Sequence, residues 1–138
     1  MSYAAAAALQ SAVFQHLAAD ASLSALVGDH IYDALPAGAA PPLYVTLGPE
    51  AVIDASDKTG RGAEHRFTLS VVADAPGFTA AKTAATAICD ALIDAPLTLS
   101  RGHLVSLGFD RATAARTNND TGRRIDLRFR ARVEDVAP

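Results

Sequence analysis

The sequence predicts an α+β fold: a two-layer sandwich in which a mixed or antiparallel sheet of about four to five strands carries helices on one face. Three observations predict it. Residues 78–94 repeat alanine and aliphatic side chains at the helical period. Ile125, Leu127, Phe129, Ala131 and Val133 alternate with polar neighbours, the period of a half-buried strand. The elements also come in blocks, two helices, then strands, then one helix, then strands, which does not suit a regular strand–helix repeat.

From the N-terminus, Ser2 can cap a first helix over residues 3–19, marked by Leu9, Val13 and Leu17 at spacing four with Phe14 beside them. Its alanine run, residues 4–8, is strongly helix-forming. Asp20 or Ser22 can cap a short second helix carrying Leu23, Leu26 and Val27, and Gly28 ends it. A short extended piece is expected at residues 31–35, and the proline- and glycine-rich stretch 36–42 breaks regular structure. Leu43, Val45 and Leu47 alternate with Tyr44, Thr46 and Gly48 as a strand, which residues 51–53 continue beyond Pro49.

Residues 54–64 read as a polar hairpin loop, too long for a tight turn and of the kind that carries function or orders on docking. Phe67, Leu69 and Val71 mark the next strand. A turn at 74–77 leads into the third helix, where Ala81, Ala84, Ala85, Ile88 and Leu92 form one stripe, Thr79 is a candidate cap and Pro96 is the stop. Val105, Leu107 and Phe109 open a strand that runs on toward Arg116. Residues 118–122 are turn formers, and the sharply alternating strand from Arg124 to Glu134 closes the hairpin.

Composition sets the limits. The 138 residues suit one domain, 1–138, with a core of small and aliphatic side chains, since half the residues are hydrophobic, aromatics are 6% and tryptophan is absent. Net charge is −3, but residues 1–100 sum to −6 and residues 101–138 to +3. Such polarity suits either head-to-tail contacts between like subunits or two differently solvated faces. The lone Cys89 excludes an intrachain disulfide, so the chain fits a reducing compartment. No apolar run reaches the roughly 18 residues of a membrane span, and the start lacks the basic region of a secretory signal, so the chain reads as cytosolic when made.

Little in the sequence points to bond-making chemistry. No phosphate loop or nucleophile elbow is present, and Thr59-Gly-Arg-Gly62 sits between strands rather than at a helix start. His16, His30, His65 and His103 lie in separate segments without the spacing of metal ligands; His16 reads as a helix-surface residue, His65 and His103 as strand-end residues. Cys89 reads as a small buried hydrophobe without the cationic setting of a reactive thiolate. Asp90 with Asp94, and Asp54 with Asp57, sit on a solvated helix face and in a polar loop, which are poor places for acid–base work. The expectation is no catalytic residue, no cofactor and no metal.

The arginine ladder is the outstanding feature. Arg124, Arg128, Arg130 and Arg132 project from one strand face, where spacing by two leaves like charges ~7 Å apart. Such a row repels itself and needs acids from a neighbouring strand or subunit, or phosphate. The net acidic chain and the absence of interleaved aromatics weigh against a nucleic-acid groove.

Several phrases carry a family resemblance. LSALVGDHIYDALP at residues 23–36, followed by PPLYVTLG at 41–48, resembles the opening of small phage tail-completion proteins, which have a "VGDRIYD"-like phrase, a proline-rich break and "PYVTLG". The alanine-rich helix at residues 80–94 and the segment LTLSRGHLVSLGF at 97–109 continue the likeness. DLRFRARVE at 126–134 is similar to the family's "RFRARVE" strand. The match spans about residues 9–135 in the family's order. This chain departs in having His30 where arginine is common, and Val71-Val-Ala73 where a tryptophan often stands. The alanine- and arginine-rich style also resembles gene transfer agents of alphaproteobacteria, which are domesticated tailed phages.

The resemblance implies a non-enzymatic virion assembly protein. Subunits would close into a ring, commonly a hexamer, on the tail tube protein, stop its polymerisation and join the tail to the head–neck connector protein. DNA would pass through the centre without being read, and no membrane is involved. On that reading the loop charges Asp54, Asp57, Lys58 and Arg61 are candidates for a lumen or tube contact, and Arg124, Arg128, Arg130 and Arg132 for a subunit interface or channel wall. A head-completion or neck protein of the same particle, a small ligand-binding domain and a nucleic-acid-binding module are the alternative readings.

Overall fold

The structure is a computed structural model and describes residues 2–58, 60–117 and 121–135. Among these it has helices α1 (Ala6–Ala19), α2 (Ala21–Val27) and α3 (Thr79–Leu92), and strands β1 (Ile31–Tyr32), β2 (Leu43–Asp54), β3 (Gly62–Ala73), β4 (His103–Arg116) and β5 (Arg123–Glu134). The strands form one open sheet in the order β1-β2-β3-β5-β4. β1 runs parallel to β2, and every other neighbouring pair is antiparallel. This is the expected α+β sheet-and-helix sandwich.

Local chemistry explains most element ends. Asp20 leaves α1 in an extended conformation and caps α2, its Oδ1 accepting from the Leu23 amide at 3.0 Å. Gly28 closes α2 at φ 61°, a left-handed value that favours glycine. Two capping expectations fail. Ser2 caps a turn at the Ala4 amide rather than the helix, which starts at Ala6. Thr79 is the first residue of α3, and its hydroxyl is not the cap. α3 also ends before Pro96: Asp94 takes a left-handed φ of 58° and its amide donates to the Leu107 carbonyl at 3.0 Å, turning the chain toward the sheet.

The strands are longer than the apolar alternation predicts, because backbone pairing carries them past it. β1 is shorter, ending at Tyr32 rather than near Leu35. The expected loop 54–64 shrinks to residues 55–61, since Asp54 ends β2 and residues 62–64 already pair with β5. β2 does continue through Pro49, by a bulge between Leu47 and Glu50. The expected turn at 118–122 falls partly on residues 118–120, and the Thr59-Gly-Arg-Gly62 segment on Thr59, outside the described residues.

Alternation gives the sheet one helix-covered face. Val45, Leu69, Val71, Ile125, Leu127, Phe129 and Ala131 point into it and meet Leu9, Val13 and Leu17 of α1, Leu23 and Val27 of α2, and the α3 stripe Ala81, Ala84, Ala85, Ile88 and Leu92. Phe129 is the centre, wholly buried, with Phe67 stacked at 5.7 Å and Phe109 edge-on at 6.1 Å. The small residues of α3 let its backbone lie close to the strands, in place of large aromatic filling. Gly102 permits an equally close approach at φ 82°: a Cβ there would meet Val133 Cγ1 at 2.9 Å.

Two histidines differ from expectation. His16 is half-buried, with Nε2 2.8 Å from the Ala91 carbonyl, tying α1 to the end of α3. His65 is no strand-end residue; it is fully buried in β3 between Val52 and Ala131 on the flanking strands.

Candidate interaction surfaces

The face of the sheet opposite the helices bears the charges. Strand pairing places Glu64 beside Arg132, Arg66 beside Arg130, Thr68 between Arg128 and β2, Ser70 beside Asp126, and Val72 beside Arg124. β4 adds Arg111 beside Arg128 and Thr113 beside Asp126. The predicted ladder of Arg124, Arg128, Arg130 and Arg132 therefore stands on this open face. Arg66 and Arg111 join it, brought there by strand register rather than by any spacing along the chain.

The ladder finds its acids within the chain. Arg124 Nε donates to Asp126 Oδ1 at 2.9 Å, and Asp126 also accepts from Ser70 Oγ at 2.6 Å. Arg66 Nη2 lies 2.8 Å from Glu64 Oε2. Arg128 donates to Asp110, and Arg130 lies between Glu64 at 3.7 Å and Asp110 at 4.0 Å. The Arg128 guanidinium holds the Asp110 carboxyl below the usual carboxylate range, with Arg130 and Arg66 adding to the field. These side chains are partly exposed, so solvent screens each pair and none adds much to stability. Their larger effect is to break up a self-repelling row into alternating signs. Of the acids, Asp126 is apparent from β5 itself; Asp110 and Glu64 join only through the strand register.

Arg132 does something different. Its Nη2 donates to the Ala55 carbonyl at 3.0 Å, linking the ladder to the 55–61 loop. That loop is held by its own hydrogen bonds as well. The Asp57 amide donates to the Gly60 carbonyl at 2.9 Å and the Gly60 amide to Asp57 Oδ1 at 2.8 Å, while Ser56 Oγ donates to Asp54 Oδ1 at 2.7 Å. The Asp135 amide donates to the Arg61 carbonyl at 3.0 Å. Its described residues are thus held together by hydrogen bonds within the loop and to the ends of the flanking strands. The Lys58 and Arg61 side chains are exposed at the loop, beyond the end of the sheet. So the loop set (Asp54, Asp57, Lys58, Arg61) and the ladder meet at one end of the open face, through Arg132.

Among the described residues no three His, Cys, Asp or Glu side chains come together to hold a metal ion. Burial, with help from Asp90, pushes the Cys89 thiol up, away from thiolate reactivity. No helix among the described residues is long and apolar enough to cross a membrane.

Comparison with curated proteins found no match. Among solved structures, the chain is similar to one from "Virion of native gene transfer agent (GTA) particle", with 61% identity, a TM-score of 0.91, and coverage of 96% of this chain and 99% of that one. The family described as "Tail completion protein gp17" matches residues 11–134. With the whole sheet, α2, α3 and most of α1 inside that match, the chain belongs to the tail completion protein gp17 family.

Proposed function

We propose that this protein is a structural component of the virion tail in a phage-like particle, and that it acts as the tail terminator. The observation that carries the reading is the 61% identity, over almost the full length of both chains, to a chain of a gene transfer agent virion, joined to membership of a tail completion family. Residues 1–138 are read as one terminator domain. Copies close into a ring, hexameric by the family resemblance, on the last layer of tail tube protein. The ring blocks further addition of tube subunits and presents its other side to the head–neck connector. No bond-making step is required.

In this ring the open sheet face is the channel wall and the 55–61 loop, with Asp54, Asp57, Lys58 and Arg61, is the tube contact. Interleaved Glu64, Asp110 and Asp126 offset half of the charge of the six arginines on this face. DNA binding through counterion release scales with the number of phosphates neutralised, so each acid on the wall weakens its hold on passing DNA. The test is removal of the chain from particle production. Electron microscopy should then show tails of uncontrolled length without heads, and the double variant Arg128→Glu/Arg130→Glu should show the same joining defect. Particles with normal tails and heads in the absence of the chain would rule the reading out.

A further inference from the structure

We propose that the open sheet face holds a phosphate-binding site built around Arg111, and that it takes a phosphodiester of double-stranded DNA. The source of the phosphate rests on the reading of this face as a channel wall. The site itself rests on the side chains that converge there.

A depression of about 270 Å³ opens on this face. Pro49 at the β2 bulge and Thr68 of β3 border it on one side, and Arg111 and Thr113 of β4 on the other. Between them β5 contributes Arg124, Asp126 and Arg128. Strand pairing accounts for the convergence. Thr68, Arg128 and Arg111 lie in one row across β3, β5 and β4, and Ser70, Asp126 and Thr113 in the next. The register shift between Phe109 and Arg111 sets Arg111 level with Arg128, while Asp110, the residue passed over, reaches Arg128 and Arg130.

Arg111 differs from the other arginines of the face. Arg124 is held by Asp126, Arg66 by Glu64 and Arg128 by Asp110. Arg130 lies between two acids, and Arg132 donates to a backbone carbonyl. Among the described residues Arg111 has neither an ion pair nor a hydrogen-bond acceptor, and it is exposed. It also stands directly opposite Arg128, and like charges so placed across two strands destabilise the sheet. An anion between the two guanidiniums turns that repulsion into attraction.

The charge and the donors match a phosphodiester. Three guanidiniums line the depression with the Asp126 carboxylate, and Asp110 answers Arg128 from outside it, which leaves one positive charge over. A phosphodiester carries one negative charge. The arginine fork fits its two non-bridging oxygens, and the hydroxyls of Thr68 and Thr113, which have no hydrogen-bond partner among the described residues, add neutral donors. Asp126 is occupied through Oδ1, which accepts from both Arg124 and Ser70. A carboxylate would fit the same fork, but on the channel-wall reading it is DNA that passes this face. Contacts of this kind carry no base information, so the site holds DNA without reading it.

The experiment is fluorescence anisotropy of an end-labelled duplex of about 20 base pairs with the purified full chain, in salt from about 20 to about 200 mM. Arg111→Gln should lower the affinity at least about fivefold and reduce the salt slope by about 0.9, the loss of one neutralised phosphate. Thr68→Val with Thr113→Val keeps every charge and should lower the affinity about threefold with the slope unchanged. Arg66→Gln removes a guanidinium held by Glu64 outside the depression and should change the affinity less than about twofold. The urea midpoint of Arg111→Gln should be no lower than that of wild type, since no contact within the chain is lost. A loss no greater in Arg111→Gln than in Arg66→Gln, or a threonine double that binds like wild type, overturns the site. A wild type that binds no duplex overturns it too, and leaves the ring reading to be judged separately by tail length in particles made without the chain. Arg111→Gln particles that fail to join heads although duplex binding is unchanged would give Arg111 to a carboxylate of a neighbouring protein and end the phosphate assignment.

Discussion

His65 offers the sharpest test of the core. It is wholly buried in β3, and neither Nδ1 nor Nε2 has a hydrogen-bond partner. A neutral imidazole carries one N–H donor and one acceptor nitrogen. Leaving a buried polar group unpaired costs about 1–3 kcal/mol. His65→Leu removes both groups in a side chain of similar size and should stabilise the chain by about that amount at pH 8, since no bond is lost. For a chain of this length that is roughly 4–12 °C in Tm. Acid should enlarge the gap. Burial lowers the folded-state pKa of His65, opposed in part by Glu50. The unfolded chain therefore takes up the proton first, and wild type loses stability as pH falls below about 6.5, toward the folded pKa. Leucine at this position has no such loss. Thermal unfolding by circular dichroism at pH 8 and pH 5.5 measures both effects. A leucine variant less stable than wild type at pH 8, or a gap that does not widen at pH 5.5, would refute the account of an unpartnered imidazole.

Two further substitutions probe the frame. Phe129→Ala empties the centre of the aromatic group with Phe67 and Phe109 and should cost about 3–5 kcal/mol, read from the urea midpoint. Asp20→Ala should cost about 1 kcal/mol through loss of the α2 cap, while Asp20→Asn, which keeps an acceptor for the Leu23 amide, should retain most of it by the same measure.

How much of this molecule is legible in the sequence depends on where the side chains point. β5 and α3 bury one face each and expose the other, so their periods are clean, and their buried sets match expectation. The start of β3 reads as loop because Gly62, Ala63, Glu64 and His65 do not alternate apolar with polar; pairing with β5 makes it strand regardless. His65 resembles an end residue for the same reason. The arginine ladder is visible in the sequence, and its need for acids comes from like-charge spacing. Which acids answer it is not visible, because Asp110 reaches Arg128 and Arg130 across a strand whose register shifts twice. The hydrogen-bonded loop is also out of reach, since Arg132 meets Ala55 from a segment 77 residues away.

The bulge in β2 has its own consequence. Gly48 and Pro49 together stand opposite Thr68, with Leu47 facing Leu69 before them and Glu50 facing Phe67 after. One extra residue is thus absorbed without inverting the inside–outside pattern of the rest of the strand. Losing that residue would leave each side chain on its present face and would only straighten the strand. The bulge therefore sets the direction of the 55–61 hairpin independently of the core. A one-residue change in length at this position tilts the hairpin while the packing beneath the helices stays as it is.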